Sequence, residues 1–136
     1  MIRYVDTSAA LKLLIDEPES SSLARQLDAS AKRGDQLVSS MLLFTELHCA
    51  VQRRTQLDIA GVNAVLDGLT LVDLERSDLL RAGTSSWRLR SADAIHLAVA
   101  LRIEADELVA YDVELGAAAV QAGLSLSTPG LGSRHA

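Results

Sequence analysis

The chain has 136 residues, 49% hydrophobic and 23% charged, the balance of one globular domain large enough to bury a core of its own. A net charge of −5 gives no overall electrostatic footprint of a nucleic-acid binder. The single cysteine, Cys49, excludes an internal disulfide framework and a thiolate metal site, and no run of about 18 apolar residues offers a membrane span. Asp6 stands where a signal peptide would be building its apolar region, and a lone cysteine suits a reducing compartment, so a cytoplasmic location is expected. Aromatic residues are only 3%, which makes the core aliphatic, with Cys49 as one of its small members.

Short apolar runs alternate with helical periods. Ile2 to Val5 is a strand, after which Thr7 or Ser8 is placed to cap a helix from Ala9 to Ile15 that stops at Asp16-Glu17-Pro18. A second helix runs from Ser20 to Ala31, with Leu23 and Leu27 one turn apart, and Lys32-Arg33-Gly34-Asp35 makes a turn. Leu37 to Ser39 is a brief strand, Met41 to Arg54 a helix, and Ile59, Val62, Val65, Leu66 and Leu69 mark another. Thr70 to Leu74 reads as a strand, Ser77 to Trp87 and Ser91 to Ile103 as helices, and Leu108 to Tyr111 as a strand. Val113 to Ala122 is the last helix and Leu124 to Ser127 the last strand. Residues 1–128 form one domain, and 129–136, with Gly130, Gly132 and Ser133, read as a flexible tail. Such alternation implies an α/β fold with parallel strands and helices on both faces. Ligand sites in these sheets lie beyond the carboxyl ends of the strands.

Four carboxylates stand at the margins of these apolar elements. Asp6 ends the first strand, Glu46 interrupts the apolar helical stripe of Leu42, Leu43, Cys49 and Ala50, Asp93 stands at a helix start, and Asp112 follows the strand ending in Tyr111. Each has an ordinary alternative: Asp6, Asp93 and Asp112 could cap helices or answer a helix dipole, and Glu46 could pair with a surface cation. Together they would repel, at roughly 3 kcal/mol for a pair about 5 Å apart in an effective dielectric of about 20. A divalent cation would neutralise them, and an all-oxygen donor set with no histidine pair favours Mg²⁺ or Mn²⁺, as one or two ions, over zinc. His96, alone in an apolar helix, reads as a core or supporting residue, and His48 and His135 have no partner at ligand spacing. Asp16, Glu17, Asp106, Glu107 and Glu114 read as solvated, and Arg53, Arg54, Arg88, Arg90 and Arg102 could form a local basic rim.

The segments IRYVDTSAALKLL, SSMLLFTELHCAV, RSADAIHLAVAL, LVAYDVEL and GLSLSTPG resemble, in order and at fitting spacing, the PIN-domain nucleases, and more narrowly the VapC-type toxins of toxin–antitoxin pairs. The resemblance implies a three-layer α/β/α sandwich with a central, mostly parallel sheet of about five short strands. It puts the family's acidic quartet, catalytic and metal-binding, on Asp6, Glu46, Asp93 and Asp112, with Thr7 and Ser8 as supporting hydroxyls. It implies a magnesium- or manganese-dependent endoribonuclease that hydrolyses RNA, transfer RNA being favoured, and leaves a 5′-phosphate and a 3′-hydroxyl. Arg88, Arg90 and Ser91, just before Asp93, are the expected phosphate contacts. The partners it implies are a VapB-type antitoxin, a second copy in a homodimer, and operator DNA bound only through the antitoxin complex. Leu13, Leu14, Leu23 and Leu27 are candidates for that protein interface or for the core.

Two rivals make other demands on the sequence. A receiver-like phosphotransfer domain wants an adjacent acidic pair after its first strand and a lysine after its last, whereas Thr7 follows Asp6 and no lysine follows Lys32. A non-catalytic module would use the acidic groove only to capture a basic peptide.

Overall fold

The chain alternates as expected: β1 (Ile2–Val5), α1 (Thr7–Leu14), α2 (Ser20–Lys32), β2 (Gln36–Ser40), α3 (Met41–Arg53), α4 (Ile59–Asp67), β3 (Thr70–Val72), α5 (Arg76–Thr84), α6 (Ser91–Arg102), β4 (Glu107–Val109), α7 (Val113–Gln121) and β5 (Ser125–Ser127). The structure is a computed structural model that describes residues 1–131, so the part of the expected flexible tail at 132–136 lies outside the described residues. The strands form one sheet in the order β3-β2-β1-β4-β5, every pairing parallel. β1 is central and buried on both faces, which is why it reads as an unbroken apolar run rather than an alternating one. Tyr4 and Leu108 point to one face, where they pack against Leu97, Val99, Ala100, Leu115 and Ala119 of α6 and α7. Val5 and Val109 point to the other, against Ala9 of α1 and Leu23 and Leu27 of α2. A third cluster joins Ala10 of α1 to Leu43, Leu47, Val62 and Leu66 of α3 and α4. Leu23 and Leu27, candidates for a protein interface, are thus core residues of this chain.

The order of the strands places the functional edge. From β1 the chain winds outward through β2 and β3, then returns to β4 on the opposite side of β1. The reversal opens a crevice between the carboxyl ends of β1 and β4, the position where doubly wound sheets bind ligands. In register, Val5 pairs with Val109, and the Asp6 amide donates to the Val109 carbonyl at 3.0 Å.

Three local expectations are corrected. Helix α1 is capped by Asp6, not by Thr7 or Ser8, and begins at Thr7, because the β1 ladder holds residue 6 extended at φ −82° and ψ 165°. β4 ends at Val109, two residues early, because the Tyr111 amide turns away from the ladder to the Ser8 hydroxyl at 2.9 Å. Glu107 is not a freely solvated acid: its Oε1 accepts from Nε of the buried Arg3 at 2.6 Å. At the other end of the sequence the packed chain continues past Thr128. Pro129 is buried, its carbonyl accepts from the Tyr111 hydroxyl at 2.7 Å, and Gly130 takes a positive φ of 91° against Glu19.

Candidate active site

The crevice between β1 and β4 gathers the predicted acids from four separate elements. Asp6 leaves the end of β1, Asp112 stands two residues beyond Ala110 as the N-cap of α7, Asp93 lies in the first turn of α6, and Glu46 projects from the second turn of α3. α3 reaches this edge because Ser40, at the carboxyl end of β2, caps it by accepting from the Leu42 amide at 3.3 Å. The structural reading of Asp6 holds, and it uses only one of the two carboxylate oxygens. Its Oδ2 caps α1, accepting from the Ser8 amide at 3.1 Å and the Ser8 hydroxyl at 2.8 Å. Its Oδ1 is buried with no hydrogen-bond partner among the described residues. Ser8 therefore ties the ends of β1 and β4 together, since the same hydroxyl oxygen accepts from the Tyr111 amide.

Behind the acids sits a buried polar chain that sequence reasoning assigned only as a supporting histidine. His96 is fully buried, with Nδ1 2.6 Å from the Tyr4 hydroxyl and Nε2 2.6 Å from Glu46 Oε1. The Thr7 hydroxyl donates to the same Glu46 oxygen at 2.6 Å and lies 3.0 Å from Nε2. Nε2 is also 3.9 Å from the unpartnered Asp6 Oδ1. The sequence held one clue to this arrangement, the spacing of three between Asp93 and His96, which puts both on one face of α6.

The proton affinities follow from this geometry. Burial opposes the charge on Glu46, but the His96 hydrogen bond and charge and the Thr7 hydroxyl prevail and lower its pKa. Burial likewise opposes the His96 cation, yet the Glu46 bond and the charges of Asp6, Glu46 and Asp93 raise its pKa. Burial pushes the Tyr4 phenol up, far from ionisation, so it acts as a fixed polar group. Asp93 has no such support: burial, then the charges of Asp6 and Asp112, push its carboxyl up to about 6, with Glu46 adding to the rise and His96 opposing it. Asp93 therefore feels the charges of the other three acids. As the side chains stand, no group of three or more His, Cys, Asp or Glu among the described residues is already arranged to hold an ion.

His96→Ala is expected to lower unfolding free energy by about 2–4 kcal/mol in urea titrations, because the Tyr4 hydroxyl and the Glu46 carboxylate lose a buried partner together. Tyr4→Phe, which removes a single hydroxyl, should cost about 1 kcal/mol.

The remaining predicted residues divide. Arg102 is occupied, bonded to Asp78 at 2.9 Å and paired with Glu75 at 3.2 Å. Arg88, at a left-handed φ of 60°, and Ser91 line a separate cleft of about 310 Å³ between α5 and α6, while the exposed Arg90 precedes α6 as its N-cap. Trp87 packs partly buried against the α6 and α7 core, with Arg81 5.9 Å from its ring centroid. Cys49, expected in the core, is exposed: α4 covers Leu43 and Leu47 and leaves the face of α3 that carries Glu46 and Cys49 open to a cleft.

Comparison with known proteins agrees with the fold and the crevice. The family model of the PIN domain matches residues 3–121. Two curated relatives from Mycobacterium tuberculosis are Ribonuclease VapC47, 37% identical over 131 residues, and Ribonuclease VapC46, 34% identical over 129; in both cases 93% of this chain and 96% of the relative are covered. The chain belongs to the PIN-domain family, in its VapC group. Among solved structures, VapBC2 from Rickettsia felis, bound to a DNA fragment from its promoter, matches with a TM-score of 0.71 at 17% identity, covering 93% of this chain and 98% of that one. The sarcin–ricin loop cleaving toxin VapC20 of Mycobacterium tuberculosis also gives 0.71, at 18% identity over 93% and 99% of the two chains. At those identities the structural matches speak for the fold alone. No helix among the described residues is long and apolar enough to cross a membrane.

Proposed function

We propose that this chain is a metal-dependent endoribonuclease, the toxin of a VapBC-type pair, that hydrolyses RNA phosphodiesters and so inhibits translation. The observation that carries the chemistry is the buried Asp6 Oδ1, which has no hydrogen-bond partner among the described residues and lies in a crevice where burial and the neighbouring acids push the Asp93 carboxyl up to about 6. A carboxylate oxygen withdrawn from water without a partner is costly, and a hard divalent cation satisfies it. The residues present fit Mg²⁺ or Mn²⁺: all four acids offer oxygen, and the one imidazole is occupied by Tyr4 and Glu46. Asp6, Asp93 and Asp112 would hold one or two ions by drawing together around them. When bound, such an ion lowers the pKa of water and stabilises charge on the attacked phosphate and the leaving oxygen.

Glu46 has a separate role in this reading. One of its oxygens is fixed by Thr7 and His96, which leaves the other to orient the attacking water. Thr7 and Ser8 set the positions of Glu46 and Asp6 respectively. Arg88, Arg90 and Ser91 supply phosphate contacts on the α6 side. Transfer RNA is the favoured substrate, a VapB-type antitoxin the protein partner, and a homodimer the assembly, with operator DNA contacted only through the antitoxin complex. The names of the curated relatives support the ribonuclease part of this reading.

The purified chain should cleave RNA in magnesium or manganese and stop in EDTA, with products carrying a 5′-phosphate. Cleavage that persists in EDTA would remove the ion from the mechanism. No cleavage of any RNA, with a basic peptide still bound, would leave a non-catalytic capture module instead.

A further inference from the structure

Among the described residues the one basic group at the acidic crevice, His96, is fully buried and engaged by Glu46, and the structure offers exposed cations nearby. Arg53 is the last residue of α3 and Arg54 its C-cap. Arg53 lies seven residues beyond Glu46, two helical turns along the same face and about 10 Å further down the axis. Two adjoining clefts meet at this point. The first, of about 510 Å³, is lined by Thr7 and Glu46 on one side and by Arg53 and Arg54 on the other. The second, of about 490 Å³, is lined by Ser8, Asp112 and again Arg54. Arg54 and Leu11 are common to both, so the two clefts form one trough that passes alongside Thr7, Ser8, Glu46 and Asp112 of the proposed reaction centre.

This pair is one of several left free of ion pairs among the described residues, and it is the one that lines the clefts beside Glu46 and Asp112. Arg3, Lys12, Lys32, Arg33 and Arg102 are each engaged by carboxylates of the chain. Arg53 and Arg54 are exposed and form no hydrogen bond or ion pair through their guanidinium groups among the described residues. An adjacent acid could have neutralised them, and the α3–α4 connection around them, Thr55-Gln56-Leu57, contains none before Asp58. Asp58 is committed to capping α4 through the Gly61 amide at 2.7 Å.

We propose that Arg53 and Arg54 form a subsite for the sugar-phosphate backbone of single-stranded RNA, binding phosphates that flank the scissile bond on the α3 side, opposite the Arg88–Ser91 side. The inference rests on the ribonuclease reading for its ligand, but it makes a claim about binding that is measurable without cleavage. Guanidinium groups bind phosphate oxygens in a bidentate fashion and carry no base preference. The trough therefore confers affinity and register, and leaves sequence choice to other contacts.

Arg53→Gln/Arg54→Gln should be compared with the parent for binding of a phosphorothioate-linked single-stranded RNA, slow to be hydrolysed, in magnesium buffer from 0.05 to 0.2 M salt. Loss of two phosphate contacts should flatten the slope of log affinity against log salt by about 1.4, so that about sevenfold of the salt-dependent loss over that range disappears. Uridine-rich and adenosine-rich strands should change alike. Arg25→Gln/Arg76→Gln, which removes two exposed charges elsewhere, should leave binding within twofold of the parent. Equal affinity and slope for the Arg53/Arg54 variant, an equal drop in the control, or weakened binding of a protein partner with RNA binding untouched would each overturn the subsite. A parent that binds through this trough yet never cleaves unmodified RNA would overturn the ribonuclease reading and leave the subsite standing.

Discussion

Asp6→Asn should abolish RNA cleavage, by about 10³-fold or more, while the protein keeps its fold. The two effects separate because the two oxygens of Asp6 do different things. Oδ2 caps α1, and asparagine is as good an N-cap as aspartate, so the Ser8 bonds survive the exchange. Oδ1 has no partner among the described residues, and its charge is the part the proposed ion needs. Losing several kcal/mol of charge stabilisation, about 4 kcal/mol for a thousandfold effect, accounts for the expected rate. In EDTA the variant should melt close to the parent, because the buried oxygen that changes has no hydrogen bond to lose and its attraction to His96, 3.9 Å away, offsets the cost of burying its charge. In magnesium the parent should gain stability in proportion to occupancy, and the variant should gain much less. Full cleavage activity in purified Asp6→Asn would take Asp6 out of the mechanism. Asp93→Asn is expected to lose cleavage in the same way.

Metal-free protein should lose stability as the pH rises from 5 to 7, and magnesium should reverse that loss. Asp93 has its folded pKa pushed up to about 6, above the ordinary 3.8. The folded state therefore holds a proton that the unfolded chain has released, so the stabilisation is complete below pH 3.8 and disappears as pH passes through about 6. His96 acts with the same sign: its pKa is raised from 6.5, and its contribution disappears as pH climbs through that raised value. Glu46 and Asp35, both lowered, work the other way but titrate below this window, Asp35 near 2. The Asp93 shift corresponds to about 3 kcal/mol at face value, and for a half-buried group solvent screening reduces it to about 1 kcal/mol, or about 3 °C in melting temperature. Asp93→Asn should flatten the lower part of the slope around pH 6 and leave the His96 part. Because the ion requires the ionised carboxylate, magnesium affinity should weaken below about pH 6, which isothermal titration at pH 5 and 7.5 would measure. A flat melting profile in EDTA, with magnesium affinity equal at both values, would show that Asp93 feels neither the other acids nor the ion.

Most of the architecture is legible in the sequence because a parallel α/β sheet writes itself locally. Each strand is a short apolar run and each helix has a period, and the expected ends fall within a few residues of those found. The four acids were legible for the same reason: Asp6 and Asp112 end apolar runs, and Glu46 breaks an apolar stripe. What escaped the sequence depends on contacts between distant segments. Asp6 rather than Thr7 caps α1 because pairing with β4 decides where β1 stops. Cys49 is exposed because only the docking of α4 determines which flank of α3 is covered. Glu107 is engaged because β4 lies beside β1, 104 residues away in sequence, where Arg3 meets it. The Tyr4–His96–Glu46–Thr7 chain draws on β1, α6, α3 and α1 at once, and each of its bonds joins residues at least 39 apart in sequence.

Parallel strands give the two extremities of the described chain unequal standing. Residue 1 pairs with Asp35 at the amino edge of the sheet, remote from the crevice, whereas Tyr111, next to Asp112, holds Pro129 on the carboxyl edge. An affinity label or fluorescent protein joined after residue 131 would start out on the edge of the sheet that carries the crevice, where the proposed substrate would enter, and is expected to report its own obstruction as inhibition. One joined ahead of residue 1 gives up a single exposed ion pair and leaves that edge clear.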